Sequence, residues 1–193
     1  MNLEMLLLRH GETEWSLSGQ HTGRTDLPLL PSGRAQAEAL RPLLASLSFA
    51  QVLSSPLKRA RDTAELAGLK QVRIDDDLRE WDYGEDEGLT TPQILAKRPG
   101  WRFWDEGCPG GETPAQVGAR CDRVLEQIRG MTGGSGGLVA IVAHGHLLRV
   151  LIARWLGLPP GAGRYWVLTP ASMSRLGHEH GQPVIVGLNR TTA

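Results

Sequence analysis

The chain has 193 residues, and its 21 lysine and arginine residues are balanced by 21 aspartate and glutamate residues. This length allows a full hydrophobic core, so we expect one domain over residues 1–193. Because the net charge is zero, no overall field recruits nucleic acid or an anionic membrane, and any attraction for anions must be local. The two cysteines, Cys108 and Cys121, are too few for a disulfide framework, which favours a cytoplasmic protein. Apolar stretches such as residues 138–143 are too short to span a membrane.

Short apolar runs alternate with helical segments from the N-terminus onwards. Residues 3–8 (LEMLLL) predict a strand that is buried on both faces. A helix is expected from Ser32, its N-cap, to about residue 46, with Pro42 marking a kink or an early end. A strand, a helix that stops at Gly68 and a second strand follow at residues 51–54, 57–67 and 72–74.

The second half of the chain continues this alternation. Thr91 and Thr113 each precede a proline, a combination typical of a helix N-terminus. Residues 132–137 (TGGSGG) predict a flexible connector, which is followed by the strand LVAIVA and a helix over residues 146–156. Three β-like runs close the chain at residues 165–168, 172–176 and 184–188. Strands separated by helices predict an α/β fold, a three-layer α/β/α sandwich with a mostly parallel central sheet and helices on both faces.

Two of the predicted strands end in a histidine followed by a glycine. Arg9 and His10 follow the first strand, and His144 and Gly145 follow the strand LVAIVA. In such a sheet ligands bind outside the carboxyl ends of the strands, and glycine permits a close approach of backbone and ligand. If the two strands are neighbours, both pairs converge on one crevice. The alternative, that each histidine is a structural residue with satisfied hydrogen bonds, stays open.

Two further segments supply a cation and a carboxylate. In SSPLKRARDTAE a helix begins with three basic residues, which its geometry spreads around the axis, and of these we expect Arg59 to face the pocket. In LREWDYGEDEG, Glu80 has aromatic neighbours that would keep water from its carboxyl group, which favours a general acid. The acidic residues 85–87 predict an ordinary solvated surface.

In this order, the segments resemble the histidine phosphatase superfamily in its phosphoglycerate-mutase-like branch. The resemblance extends over residues 5–157 and rests on LLLRHGETEW, TGRTDLPL, SSPLKRARDTA, LREWDYGEDEGLT and AHGHLLRVL. Arg-His-Gly after a first strand has moderate specificity alone, whereas the whole ordered set is highly specific. The stretch EWDYGEDEGLT is most similar to the acid phosphatase and sedoheptulose-bisphosphatase members of the branch.

The resemblance implies a metal-independent phosphomonoesterase without a cofactor, which acts on small phosphorylated metabolites such as sugar phosphates. His10 would be the nucleophile and would become a phosphohistidine. Arg9, Arg59 and His144 would hold the oxygens of the transferred phosphoryl group. Glu80 would protonate the leaving alkoxide and then deprotonate the attacking water.

We expect further residues to contact the substrate: Ser16, Thr22, Gly23, Tyr83, Gly145 and His146. Ser16 departs from the family, which usually has asparagine there, although a hydroxyl group can donate one hydrogen bond. Thr91 stands where the mutases carry a substrate-binding lysine, and residues 97–111 form too short a segment for their basic insertion. Both differences favour hydrolysis over isomerisation.

Alternatives remain open at this point. The chain could be a phosphoglycerate mutase that depends on a bisphosphoglycerate primer, or a module that binds phosphorylated ligands without turnover. Histidine pairs stand at residues 144 and 146 and at residues 178 and 180, but His144 is already assigned to phosphate and no carboxylate cluster accompanies His178, so we expect no metal site. We expect no nucleic-acid or membrane partner, and the sequence leaves open whether the protein is a monomer or a homodimer.

Overall fold

The computed structural model describes residues 3–131 and 136–192, so most of the predicted connector lies outside the described residues. The strands are β1 (Leu3–Arg9), β2 (Gln51–Ser54), β3 (Val72–Ile74), β4 (Gly137–Ala143), β5 (Met173–Glu179) and β6 (Gln182–Arg190). The α-helices are α1 (Glu14–Ser18), α2 (Pro31–Leu44), α3 (Lys58–Leu66), α4 (Thr91–Lys97), α5 (Phe103–Glu106), α6 (Pro114–Met131) and α7 (Gly145–Trp155). Within the described ranges, none of these helices has the length and apolar character needed to cross a membrane.

A six-stranded sheet in the order β3-β2-β4-β1-β5-β6 organises the fold. The strands β3, β2, β4 and β1 run parallel to one another. At the other side of β1, β5 pairs antiparallel with β1, and β6 pairs antiparallel with β5. The predicted α/β fold with a mostly parallel sheet is therefore confirmed. β1 and β4 are neighbours and pair in register up to Arg9 opposite Ala143. The residues that follow these strands, His10 and His144, are thus brought to the same edge of the sheet.

Hydrophobic clusters lie on both faces of the sheet. Met5 and Leu7 of β1 belong to a cluster that includes buried residues of α6 and α7. Leu6 and Leu8 belong to a second cluster, with buried residues of α2 and α3. Successive residues of a strand point to opposite faces, so the apolar residues 5–8 of β1 are buried on both sides of the sheet, as the sequence predicted.

The predicted start of α6 after Thr113 is confirmed, but those of α2 and α4 were wrong by one or two residues. α2 begins at Pro31, and Ser32 lies inside the helix instead of capping it. Proline suits this position because the first N–H groups of a helix have no intrahelical acceptor to lose. Pro42 lies in the last turn of α2 without ending the helix. The N-cap of α4 is Thr90, one residue before the predicted Thr91.

The predicted strand at residues 165–168 is also wrong. Residues Pro160–Tyr165 form a 3₁₀ helix, and the segment that follows is irregular. The carbonyl oxygen of Leu168 accepts a hydrogen bond from the side chain of Arg9. This backbone group therefore serves an arginine at the end of β1 instead of a sheet ladder, a use that β-propensity cannot reveal.

Candidate active site

His10 is held at the end of β1 with one ring nitrogen available for chemistry. Its backbone N–H donates to the carbonyl of Ala143 at 3.0 Å, which ties it to the end of β4. Its Nδ1 lies 2.7 Å from the carbonyl oxygen of Gly11. Since a carbonyl oxygen only accepts, Nδ1 carries the proton and Nε2 keeps its lone pair. Burial and the cations Arg59 and Arg9 lower the pKa of His10 well below its usual value, so the ring is neutral and nucleophilic near pH 7.

Two facing glycines determine the path of the loop after His10. A Cβ atom on Gly11 would lie 2.3 Å from the carbonyl oxygen of Gly33, and one on Gly33 would lie 2.1 Å from the carbonyl oxygen of Glu12. Gly11 also donates its N–H to the hydroxyl of Thr63 in α3 at 3.0 Å. The absence of side chains on both glycines is therefore a steric requirement for the position of His10.

Arg9 places its guanidinium group over the start of α7. A Cβ atom on Gly145 would lie 3.3 Å from the guanidinium carbon of Arg9, which shows how closely the two approach. The Nη1 group donates to the carbonyl of Leu168, whereas Nε is buried with no partner among the described residues. Burial lowers the pKa of Arg9, and the charge of Glu80 opposes this effect. A cation with an unused buried donor is suited to an anionic ligand.

Arg59 and His144 form one hydrogen-bonded unit beside His10. Both are fully buried, and the rings of His10 and His144 are 5.1 Å apart. Nε of Arg59 donates to Nδ1 of His144 at 3.1 Å, so the other ring nitrogen, Nε2, carries the proton and donates to Oγ of Ser55 at 2.7 Å. Burial and Arg59 lower the pKa of His144 well below its usual value, which keeps it neutral.

The remaining donors of Arg59 bind the loop that follows α1. Its terminal nitrogens donate to the backbone carbonyl oxygens of Thr22, Gly23 and Thr25 at 2.8–3.1 Å. Both ring nitrogens of His144 also have protein partners. The structure thus brings Arg59 and His144 to His10, as the sequence predicted, but a bound phosphoryl group would have to exchange with some of these bonds. Their predicted role as phosphate ligands stays a prediction.

Glu80 lies where α7 begins. Its Oε1 accepts the N–H groups of Trp81 at 2.8 Å and Leu147 at 2.9 Å, and its Oε2 accepts the N–H of His146 at 3.1 Å. The first N–H groups of a helix lack intrahelical acceptors and form the positive end of its dipole, so they suit a carboxylate. These bonds orient a nearly buried carboxyl group towards the cavity that contains His10.

Tyr83 and His146 form a neutral pair in an aromatic wall. The hydroxyl of Tyr83 lies 2.6 Å from Nδ1 of His146, whose ring also packs on Phe103 and Trp104. Burial and Glu80 raise the pKa of Tyr83 well above its usual value. Burial and Arg149 lower the pKa of His146 well below its usual value. Neither group titrates near pH 7, so the pair offers hydrogen bonds without a net charge.

A cavity of about 240 Å³ brings these groups together. Most of the predicted site residues line it: Arg9, His10, Ser16, Thr22, Glu80, Tyr83, Gly145 and His146. Arg59 and His144 are not part of this lining. Gly23 instead borders a neighbouring cavity of about 270 Å³, which Glu80 also lines. Within residues 3–131 and 136–192, no group of three or more histidine, cysteine or acidic residues is arranged to hold a metal ion.

Local hydrogen bonds already occupy several donors that were predicted to contact the substrate. The hydroxyl of Ser16 donates to the carbonyl of Thr13 and accepts the N–H of the same residue, so it completes a capping box for α1. The N–H of Gly23 donates to the carboxylate of Glu87 at 3.0 Å, and the hydroxyl of Thr22 donates to the carbonyl of Gln20 at 3.2 Å. Substrate contacts by Ser16, Thr22 and Gly23 therefore stay predictions.

Arg149 is a cavity residue that the sequence reading missed. It follows Gly145 by four residues on α7, and residues four apart share one face of a helix. The four-residue spacing from Gly145 could therefore have predicted that Arg149 lies on the same side of α7 as the cavity. Of residues 85–87, Glu85 is exposed as predicted, whereas the prediction of a solvated surface was wrong for Asp86, which is buried and paired with Arg98.

Comparison with known proteins places the chain in a family. The profile of the histidine phosphatase superfamily (branch 1) matches residues 5–191. The acid phosphatase of Mycobacterium tuberculosis (strain ATCC 25618 / H37Rv) is 44% identical over 191 residues, which cover 97% of this chain and 93% of the relative. The sedoheptulose 1,7-bisphosphatase of Saccharomyces cerevisiae (strain ATCC 204508 / S288c) is 38% identical over 183 residues, which cover 79% of this chain and 67% of the relative.

The solved structure of a protein encoded by an open reading frame of Mycobacterium tuberculosis has the same fold. It superposes with a TM-score of 0.93 at 43% identity, and the match covers 100% of both chains. The chain belongs to the histidine phosphatase superfamily, as its motifs implied.

The lowered pKa values of the buried histidines predict that stability falls in mild acid. The unfolded chain binds protons at its histidines as the pH drops through about 6.5, whereas the folded protein keeps His10, His144 and His146 neutral. The unfolded state then binds more protons, so the free energy of unfolding decreases with falling pH, by up to about 1.4 kcal/mol per pH unit for each histidine. Urea unfolding at several pH values between about 5 and 7.5 measures this slope.

The control for this slope uses an exposed histidine. His146→Gln should reduce the slope, because one neutral buried ring is removed. His180 is exposed and lies on the turn between β5 and β6, so His180→Asn should keep the slope of the wild type. Equal slopes for the wild type and His146→Gln would contradict the assignment of a buried neutral ring.

The glycine contact behind His10 predicts a selective steric effect. Gly33→Ala must displace the backbone of Glu12, and we expect it to lower the free energy of unfolding by about 1–3 kcal/mol and to disturb the position of His10. Gly130→Ala in α6 is the control, because no described residue places an atom within 4 Å of the added methyl group, apart from the chain neighbours and the backbone of α6 itself, and it should be neutral or stabilise the protein by up to about 1 kcal/mol. Thermal and urea unfolding of the variants compare the two, and equal effects would argue against a tight contact at Gly33.

Proposed function

We propose that the protein hydrolyses small phosphate monoesters, sugar phosphates above all, through a phosphohistidine on His10. The observation that carries this proposal is the state of His10, a buried neutral imidazole whose Nε2 lone pair is left available by the hydrogen bond from Nδ1 to Gly11. A nucleophile prepared in this way between two arginines and opposite a carboxylate has no purpose in a module that only binds phosphorylated ligands.

In the first chemical step, Nε2 of His10 attacks phosphorus in line with the leaving oxygen. The P–N bond forms as the P–O bond of the ester breaks, and Glu80 gives its proton to the leaving alkoxide. Arg9 and Arg59 stabilise the charge on the phosphoryl oxygens, which supplies the electrostatic part of the catalysis. The products of this step are the free alcohol and phosphorylated His10.

In the second step, water attacks the phosphohistidine. Glu80 accepts a proton from the water as the new P–O bond forms, and the P–N bond breaks to return His10. Inorganic phosphate leaves, and Glu80 again holds the proton that the next cycle requires. No other reactant is consumed, so the overall reaction is hydrolysis of the ester.

The size and lining of the cavity support small substrates. About 240 Å³ lies below the usual range for sites that enclose drug-sized ligands, about 300–1,000 Å³. The names of the relatives, an acid phosphatase and a sedoheptulose 1,7-bisphosphatase, agree with phosphate monoesters of small metabolites. The hydroxyl of Tyr83 and the ring of His146 could bond the hydroxyl groups of a sugar.

The direct test measures phosphate release from sugar phosphates and phosphoglycerates at about pH 5–7.5, with EDTA present. We expect release that persists in EDTA and disappears in His10→Ala, because the variant has no nucleophile. Labelled phosphate should transfer from substrate to the wild-type protein and not to this variant. Isomerisation of 3-phosphoglycerate that needs a bisphosphoglycerate primer, without release, would make the protein a mutase. Affinity for phosphate esters with neither reaction would make it a binding module.

The role of Glu80 predicts a dependence on the leaving group. Glu80→Gln keeps one carbonyl oxygen, which can accept one of the two α7 N–H groups, but it cannot transfer a proton, so kcat for alkyl phosphates should fall by about 10²–10⁴-fold. The loss should be much smaller for p-nitrophenyl phosphate, whose leaving group needs little protonation.

The control for Glu80 is an exposed glutamate in the same segment. Glu85→Gln removes the charge of an exposed carboxylate and should retain the wild-type kcat for both kinds of substrate. A similar loss for alkyl and p-nitrophenyl esters in Glu80→Gln would exclude Glu80 as the general acid.

A further inference from the structure

Glu80 lies in a segment of the chain that has no regular secondary structure. Residues 79–83 lie between two short 3₁₀ helices, Asp76–Leu78 and Gly84–Asp86. A side chain on such a segment is placed only as well as the contacts of its backbone allow. The bonds from Glu80 to α7 hold its carboxyl group, so the main chain on either side of Glu80 needs contacts of its own.

A largely buried ion pair between Glu112 and Arg120 lies next to this segment. Nε and Nη2 of Arg120 donate to the two carboxylate oxygens of Glu112 at 2.7 and 2.8 Å, which is the paired geometry that an arginine and a carboxylate favour. The two side chains are only 13% and 20% exposed. Arg120 belongs to α6, whose buried residues are part of the hydrophobic cluster on one face of the sheet. The pair is therefore attached to a rigid element.

Arg120 binds the backbone that precedes Glu80. Its Nη1 group donates to the carbonyl oxygen of Asp77 at 2.6 Å and to that of Arg79 at 3.0 Å. Since Nε and Nη2 bind Glu112, all three nitrogens of the guanidinium group are engaged. One side chain thus connects the carboxylate of Glu112 with the main chain on the N-terminal side of Glu80.

Glu112 binds the chain that follows Glu80. Its Oε2 accepts the N–H of Asp82 at 2.9 Å, and its own N–H donates to the carbonyl of Asp82 at 2.9 Å. Its carbonyl oxygen accepts the indole N–H of Trp81 at 2.8 Å. A Cβ atom on Gly111 would lie 2.2 Å from the carbonyl oxygen of Asp82, so the two segments are in close contact. Together, the two residues of the ion pair hold the backbone on both sides of Glu80.

The ion pair does not border the cavity that contains His10. Glu112 and Arg120 line the neighbouring cavity of about 270 Å³, and Glu80 borders both cavities. The pair can therefore influence the site of His10 through Glu80 without touching a substrate. Burial lowers the pKa of Arg120, but its hydrogen bonds to Glu112 and the charge of that carboxylate raise it above its usual value, so the guanidinium stays charged.

We propose, on the basis of the phosphatase function proposed above, that Glu112 and Arg120 are positioning residues for Glu80. The pair holds residues 79–82 where the carboxyl group of Glu80 can reach the leaving oxygen of the substrate. A displacement of about 1 Å at a reacting group can lower a rate by about 100-fold. Loss of the pair should therefore impair proton transfer to the leaving group more than it impairs the binding of the substrate.

The first test compares leaving groups in Arg120→Gln, which removes the paired bonds to Glu112. For an alkyl ester such as glycerol 3-phosphate, kcat/KM should fall by about 10- to 100-fold, through kcat and with KM changed by less than about threefold. For p-nitrophenyl phosphate the loss should be much smaller, because its leaving group needs little protonation. Equal losses for the two esters would contradict a role through Glu80.

The second test combines Arg120→Gln with Glu80→Gln. The glutamine at position 80 cannot transfer a proton wherever it lies, so adding Arg120→Gln should lower kcat/KM for alkyl phosphates by less than about twofold further. If Arg120 only supported the fold, its replacement would reduce activity by the same factor in both backgrounds. Full additivity would therefore overturn the proposal.

Two further variants serve as controls. Arg120→Lys keeps a positive charge without the planar fork, so it should recover part of the lost kcat, and it replaces the glutamine variant if that does not fold. Arg154→Gln breaks another ion pair of α6, the one between Arg154 on α7 and Asp122, and should keep the leaving-group dependence of the wild type. Urea unfolding shows whether each variant is folded.

Failure of this proposal differs from failure of the phosphatase function. If the wild type releases phosphate and Glu80→Gln shows the expected leaving-group dependence, but Arg120→Gln does not, the pair only stabilises the fold and the phosphatase function stands. If the wild type releases no phosphate from any substrate, the phosphatase function fails and the positioning role fails with it.

Discussion

The parallel pairing of β1 with β4 is the constraint on which the candidate site depends. The hydrogen bond from the N–H of His10 to the carbonyl of Ala143 holds the two strand ends side by side. Because α7 begins directly after His144, the same pairing delivers the free N–H groups of that helix to the cavity, where Glu80 accepts two of them. The positions of His10, the proposed nucleophile, and of the oriented carboxylate of Glu80 thus depend on the same pair of strands.

The second organising feature is an excess of buried positive charge. None of the ion pairs among the described residues includes Arg9 or Arg59, and the buried Nε of Arg9 has no partner there. Burial lowers the pKa of His10, and the cations that would attract a phosphoryl group lower it further, so the proposed nucleophile stays unprotonated. In the proposed mechanism, one electrostatic arrangement would serve both the binding of phosphate and the activation of His10, and an anionic ligand would relieve the uncompensated charge.

At the predicted substrate-binding positions, the resemblance to the family predicted which residues are present but not their hydrogen-bond partners. Ser16 stands at the expected position, but its hydroxyl is used to cap α1, and the N–H of Gly23 is used by Glu87. Conversely, Asp86 resembled surface charge in the sequence and proved to be a buried partner of Arg98. A motif specifies which atoms are present, whereas their hydrogen-bond partners depend on segments that meet only in the folded chain.

The sequence by itself determined the alternation of strands and helices, the strand buried on both faces and the family, because these depend on local periodicity and on contiguous motifs. It also predicted that His10, Arg59, Glu80 and His144 would meet, since the carboxyl ends of neighbouring parallel strands share one edge. Only the tertiary structure decided which donors are free, that Leu168 accepts from Arg9, and that Arg149 enters the cavity. These outcomes depend on contacts between residues far apart in the chain, whose distances and angles no local pattern encodes.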